Sequence, residues 1–377
     1  MPATQNGFQR LWLTGAQGLA CVVGLVVAAV LSGLVTDEAQ GEGVVSASVA
    51  APRPATPTAA RPTGDQQLHA LQDSSVAMIG EVAAVTEGQG FTLILGQDGR
   101  LWGRGRNESG QLAAGPQLQR SERFLPLPGG DYLSVAAGGS HVLALDRHGD
   151  LWGWGGNRYG QLATGEQDNS PQHRPIRIAS DIVAIAAGEQ HSLAIRRDGT
   201  LLAWGENRFG EIGDGTRNTV TSPAVIGRRF KAIAAGSGYS LAVDEDGRLW
   251  AWGRGESGRL GNGEDLDQVN PVEIGIGFQA VSAASGQSYA IRNDGSLWAW
   301  GSNLQGQLGD GSREDRFEPV QIGSDYVSVH AGGSRVMAVR RDGSVRVWGS
   351  EARQPLVAEK ADAGMMPPTS VRISAAR

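Results

Sequence analysis

The chain has 377 residues, of which 19% are charged and only 6% aromatic, yet it carries 56 glycines and 10 tryptophans. That combination suits many short strands joined by glycine turns and argues against a helical protein. The net charge of −6 speaks against a broad nucleic-acid surface, and the single cysteine, Cys21, excludes an intramolecular disulfide.

In chain order, the first feature is an uncharged apolar run from Leu11 to Val35, preceded by Arg10 and followed by Asp37, Glu38 and Glu42. A spanning helix needs about 20 mostly apolar residues. The run therefore predicts one N-terminal transmembrane helix, a signal-anchor at 11–35. The flanking charges place residues 1–10 in the cytoplasm and the rest outside it. A cleaved signal peptide is the alternative, although the small residues Ser46-Ala47-Ser48 lie far beyond the apolar run. Residues 36–73 are rich in proline, alanine and other small residues, with too little bulk to order themselves, and read as a disordered linker.

From residue 74 to 377 one unit is written six times. Its motif glycine falls at Gly88, Gly138, Gly188, Gly236 and Gly332, with Ala284 in the fifth copy, in steps of 48 or 50 residues. A fixed period of this size marks a solenoid, propeller or array, and strand-like content favours the propeller. Each copy opens with an apolar strand such as 183–187 and a second such as 191–196. An Asp-Gly hairpin turn follows, as at Asp198-Gly199, its two residues suited to positive φ; His148-Gly149 takes that place in copy two. The third strand ends in Trp-Gly at Trp154, Trp204, Trp252, Trp300 and Trp348, with Arg104 in copy one. A glycine-rich loop leads to a fourth strand that begins near Pro126, Pro175, Pro223, Pro271 or Pro319. Proline cannot donate to a ladder, so this strand belongs on the outer edge of a blade. The prediction is an all-β propeller of six four-stranded blades. A seventh is less favoured, for it has no Trp-Gly copy of its own.

Closure has two candidate donors. Thr369–Ser374 resembles the outer strand Pro175–Ser180, and Val76–Gly80 matches Pro223–Gly227. Both remain open from the sequence.

The repeat resembles that of the RCC1 family, most plainly in Trp154-Gly-Gly-Asn-Arg-Tyr-Gly-Gln-Leu162 and Trp300-Gly-Ser-Asn-Leu-Gln-Gly-Gln-Leu308. The resemblance implies a β-propeller used mainly to bind proteins. One branch exchanges guanine nucleotide on the small GTPase Ran, and a secreted bacterial branch inhibits β-lactamases. Those relatives have seven blades, and a membrane segment at the head of this chain fits a nuclear exchange factor poorly. Function resides in loops grafted onto the fold.

No Walker motif, GxSxG elbow or local metal-ligand spacing is present, so neither an enzyme nor a cofactor is expected. His141 and His191 occupy equivalent positions and each is expected to bond within its own blade turn. The last position of the first-to-second loop varies among copies: Phe91, His141, His191, Tyr239, Gln287 and Arg335. It reads as a mixed ring suited to recognition of a protein. Arg158 and Arg208 in the outer loops extend it, and the acidic loop Gly263–Asp267 adds sign variation. The sequence thus points to a monomeric, membrane-tethered, protein-binding scaffold outside the cytoplasm. The alternatives are an inhibitor of an extracytoplasmic enzyme and a nucleotide-exchange factor.

Overall fold

A computed structural model of the protein describes residues 79–333, 335–349 and 370–371. The predicted segments 1–10, 11–35 and 36–73 lie outside the described residues. Among the described residues, no helix is long and apolar enough to cross a membrane. Apart from a single 3-10 turn at Glu256–Gly258, every regular element described is a strand.

Six sheets, each of four strands in simple antiparallel order, form the blades. They cover 82–126, 132–179, 182–227, 230–275, 278–323 and 326–349, with Ser370–Val371 completing the sixth. First strands of neighbouring blades meet one another, which places them nearest the axis. The fourth strand lies at the outer edge of every sheet, as its proline demands. In blade two that strand runs from Asp168 to Ala179 and so begins well before Pro175. The edge of blade six comes from the C-terminal side, where Val345 pairs with Val371 and Arg346 with Ser370. Ile79, from the other candidate donor, packs on Ile94 and Phe124 within blade one.

The Asp-Gly turns differ from the expected pairing of two positive φ values. Only the glycine is left-handed, at φ +80 for Gly99 and +79 for Gly199. Gly99 donates its N–H to the Gly96 carbonyl at 3.0 Å, and Gly96 donates to the Arg100 carbonyl at 2.8 Å. This is a type I turn followed by a glycine bulge. The aspartate acts through its side chain: Asp98 Oδ1 accepts from Arg100 N at 3.0 Å, and Asp198 Oδ1 from Thr200 N at 3.0 Å.

One joint is repeated between consecutive blades. The Trp-Gly indole is buried against the preceding blade, and its N–H donates to a loop carbonyl there. The pairs are Trp154 to Gln111, Trp204 to Gln161, Trp252 to Glu211, Trp300 to Arg259 and Trp348 to Gln307, all between 2.8 and 3.0 Å. The loop glycine makes room for the ring: a Cβ on Gly261 would meet Trp300 Nε1 at 2.7 Å. Apolar clusters join blade one to two, two to three, three to four, four to five and five to six. Among the described residues no such cluster joins blade six to blade one. The outward faces of those two blades carry clusters of their own residues.

Candidate protein-binding face

The first-to-second and third-to-fourth loops share one face. Glu206 N donates to the Gln190 carbonyl at 3.0 Å, and Arg254 N to the Gly238 carbonyl at 2.8 Å. Near the axis the loop tips touch across two blades, where Gln89 Nε2 donates to Glu189 Oε1 at 3.0 Å.

The predicted axial ring is not a surface. Phe91, His141, His191, Tyr239 and Gln287 are all buried, and only Arg335 is half-buried, already engaged by neighbouring groups. The cause is the motif glycine. Each ring folds back over it so closely that a Cβ would meet Phe91 Cε1 at 2.0 Å, His141 Cε1 at 2.3 Å, His191 Cε1 at 2.2 Å or Tyr239 Cε1 at 2.1 Å. These side chains serve the joints between blades, and variation at the position reflects which group the next blade offers.

The histidines bond forward into the next blade, not within their own turn. His141 Nε2 lies 3.0 Å from Ser192 Oγ, and His191 Nε2 lies 3.0 Å from Ser240 Oγ. Each serine hydroxyl already donates to a loop carbonyl, of Gln161 or Glu211. The hydroxyl must therefore accept from Nε2–H, which sets a neutral tautomer. Burial, reinforced by the neighbouring His191, pushes the His141 pKa down to about 3; burial, opposed by Glu189, takes His191 to about 4. Tyr239 plays the same part with its hydroxyl, which donates to the Gln287 carbonyl at 2.6 Å.

Variation exposed to solvent sits elsewhere, four residues beyond the Trp-Gly indole. That slot holds Glu108, Arg158, Arg208, Glu256 and Leu304, and every one is exposed. Arg158 and Arg208 are thus where the sequence placed them. Glu108, Glu256 and Leu304 differ in type from the arginines, and only their equal distance from the joint position of the third strand marks them as members of the same slot. The next slot holds Tyr159 and Phe209, both half-buried. The Arg158 guanidinium lies 5.6 Å from the Tyr159 ring centre, and Phe209 is flanked by Arg208 at 4.7 Å and Arg254 at 4.9 Å. The acidic loop of blade four has a local duty. Gly255 replaces the asparagine that holds the loop in other blades, and Asp267 Oδ1 and Asp265 Oδ1 accept the N–H groups of Gly255 and Ser257 at 3.1 and 2.6 Å.

Among the described residues no group of three or more His, Cys, Asp or Glu side chains is placed to hold a metal ion. A cleft of about 590 Å³ opens between blades one and two, lined by Tyr132, Asp146, Trp152, Arg174 and the Pro128–Gly130 linker. Asp146 there is occupied by the Trp152 indole at 2.9 Å and by two backbone N–H groups, which offset its burial and hold its pKa below the usual range.

Radial blades with a constant interior and a variable loop face define a β-propeller of the protein-interaction class. The chain belongs to the RCC1-like domain family, whose match covers residues 53–324. It is similar to the crystal structure of human WBSCR16, with a TM-score of 0.65 and 24% identity over 73% of this chain and 77% of that one. It is also similar to Prp20p of Saccharomyces cerevisiae, a structure described with its binding to Gsp1p and histones, with a TM-score of 0.62 and 21% identity over 71% and 72% of the two chains. Yeast RCC1 (Prp20) bound by Kap60 matches at a TM-score of 0.60 and 21% identity, over 71% of this chain and 70% of that one. No curated protein matches the chain.

Proposed function

We propose that this propeller is a protein-binding scaffold whose recognition surface is the ring of third-to-fourth loop tips. The observation that supports it is the contrast between a repeated interior and the exposed slot Glu108, Arg158, Arg208, Glu256 and Leu304. Two adjacent cations, two anions and an apolar tip make a directional pattern, able to orient a partner as well as hold it. Binding of Gsp1p and histones belongs to Prp20p, and at 21% identity that likeness carries the fold alone. We further propose that the apolar run at 11–35 tethers the propeller to a membrane and places it outside the cytoplasm, on the strength of its length and flanking charges.

Cross-linking and affinity capture with the full chain and with an R158E/R208E variant test the first reading. A partner held by the wild type and lost by a variant of unchanged melting temperature supports it. A partner held equally by both removes the loop ring from consideration. Protease accessibility in intact cells tests the second, and a protected propeller in sealed cells would overturn it.

A further inference from the structure

The linker from blade one to blade two is one residue longer than its counterparts. Pro128, Gly129, Gly130 and Asp131 separate Leu127 from Tyr132, whereas three residues separate Ile226 from Phe230, Ile274 from Phe278 and Ile322 from Tyr326. In those three shorter linkers a glycine lies against the edge of the ring: a Cβ on Gly227, Gly275 or Gly323 would meet Cε2 of the following ring at 2.8, 3.3 or 2.7 Å. In the longer one, a Cβ on Gly129 would meet the Tyr132 hydroxyl first. The extra residue carries the linker out to the hydroxyl end of the ring, and the cleft of about 590 Å³ lies there, walled by Tyr132, Trp152, Pro128 and Pro175. That volume falls within the roughly 300–1,000 Å³ of ordinary ligand sites.

The same corner is furnished differently in later blades. Tyr132 pairs with Asp146 across the first two strands, as Phe278 does with Arg292 and Tyr326 with Arg340. The Arg292 guanidinium stacks on Phe278 at 4.8 Å and on Trp298 at 4.1 Å, and Arg340 lies 5.1 Å from the Tyr326 ring centre. Blades five and six thus cover the aromatic corner with a cation of their own. Blade two has the aromatic pair Tyr132 and Trp152 but a carboxylate in the arginine slot. Asp146 accepts the Trp152 indole N–H at 2.9 Å, so the indole has its face and not its N–H to offer. Arg174 is the one cation among the lining residues, and among the described residues no guanidinium stacks on either ring. The Tyr132 hydroxyl reaches only the Pro128 carbonyl, at 3.5 Å, beyond an ordinary O–H···O bond. Burial, with Asp146 adding to it, pushes the Tyr132 pKa up to about 12, so the hydroxyl stays a donor.

We propose that the cleft between blades one and two binds the chain's own proline-rich segment 50–62, with Arg53 over the Tyr132 and Trp152 rings beside Asp146 and Pro54-Ala-Thr-Pro57 along the cleft. Proline at every third position favours the extended left-handed helix that docks in grooves walled by aromatic side chains. Its prolines have carbonyls but no N–H, which matches a corner with a tyrosine hydroxyl to donate. Charge agrees: between Glu42 and Asp65 the only charged residues are Arg53 and Arg61. Position agrees as well. Ile79, where the described chain begins, packs on Phe124, and Phe124 stands four residues before Pro128 in the cleft wall. The chain between Pro57 and Ile79 reaches about 70 Å when extended, so length sets no limit. Simple antiparallel order puts the linkers between blades at the end opposite the third-to-fourth loops. Docked there, the segment straps the propeller by that end and leaves the loop ring facing away. The site is independent of the protein-binding reading and adds to it.

The test is photo-cross-linking of the full chain in neutral detergent, with benzoylphenylalanine in place of Ala55 and an equal mixture of isotopically light and heavy protein. Cross-links are mapped by mass spectrometry. Two variants are compared: D146R, which gives blade two the arginine of blades five and six, and R53E/R61E, which leaves the propeller untouched. A thermal melt checks that each folds. The expected result is cross-linking within one chain to residues 128–132 or 174–175. Its yield should fall roughly fivefold or more in both variants, as the loss of a cation–π contact implies. Should D146R fail to fold, R53E/R61E alone decides. An unchanged yield in a folded variant, or cross-links scattered over the propeller, overturns the site. Cross-links that join light to heavy chains overturn it in favour of a segment from a second copy.

Discussion

Blade one shares an apolar cluster with blade two and, among the described residues, none with blade six, and its two sides are built differently. In blades two to six, the centre of the second strand shows the preceding blade an alanine: Ala144, Ala194, Ala242, Ala290 and Ala338. Blade one has Ile94 there, and Ile94 packs on Ile79 and Phe124 of its own blade. The indole of the later blades is replaced by Arg104, whose guanidinium lies over the Phe124 ring at 5.0 Å. Same strand, same register, different neighbour: residue size at these positions follows the blade across the joint, not the strand itself.

Breaking a joint should have the largest effect. Trp300→Ala removes a fully buried indole and one of the two donors to the Arg259 carbonyl, which keeps Ser288 Oγ at 2.7 Å, an expected loss of about 3–5 kcal/mol in chemical denaturation. Ala242→Ile, which copies blade one into the middle of the stack, overpacks the joint with Trp252 and should cost about 1–3 kcal/mol. If it were tolerated freely, the alanines would not be set by the neighbouring blade.

Acid should act on the joints of blades two to three and three to four and spare the joint of blades one and two, where the ring is Phe91. His141 and His191 have folded pKa values of about 3 and 4, below the unfolded value of about 6.5. Their contribution is complete above pH 6.5 and is lost as pH falls toward 4. By pH 5 each should have given up about 2 kcal/mol, and H141F/H191F should flatten the stability–pH curve in that window. Glu211 has the opposite sign. Its folded pKa is raised to about 7 from 4.5, so its contribution is complete below pH 4.5 and is lost as pH rises through 7. E211Q should be the more stable protein at pH 8, by roughly 1–3 kcal/mol. The smallest effect belongs to Arg104→Trp. With no preceding loop carbonyl described for the new indole, a change within about 0.5 kcal/mol is expected, and a gain like that of a joint tryptophan would mean that a carbonyl does await it.

The second and third strands and the outer-edge prolines were legible, because each depends on local periodicity or a missing N–H, whereas the choice between Thr369–Ser374 and Val76–Gly80 as the closing donor was settled only by the pairing of Val345 with Val371. Nor was the axial ring legible. Whether His141 faces solvent or a serine depends on Gly138 beneath it and Ser192 in the next blade, 51 residues away. Variation there looked like recognition because every joint solves the same packing problem with a different pair of groups. Likewise, Glu211 reads in sequence as one more polar loop residue, and only its equivalents around the ring show a carboxylate standing where an amide suffices.

The amino-acid sequence by itself determined the period, the four-strand unit, the turn residues and the family, since these follow from alternation, backbone conformation and motif, all carried within one repeat. Which variable positions face outward, which histidines stay neutral and where a buried charge lacks a partner were decided by the tertiary structure. Each of those properties belongs to the space between two blades, and no single repeat contains it.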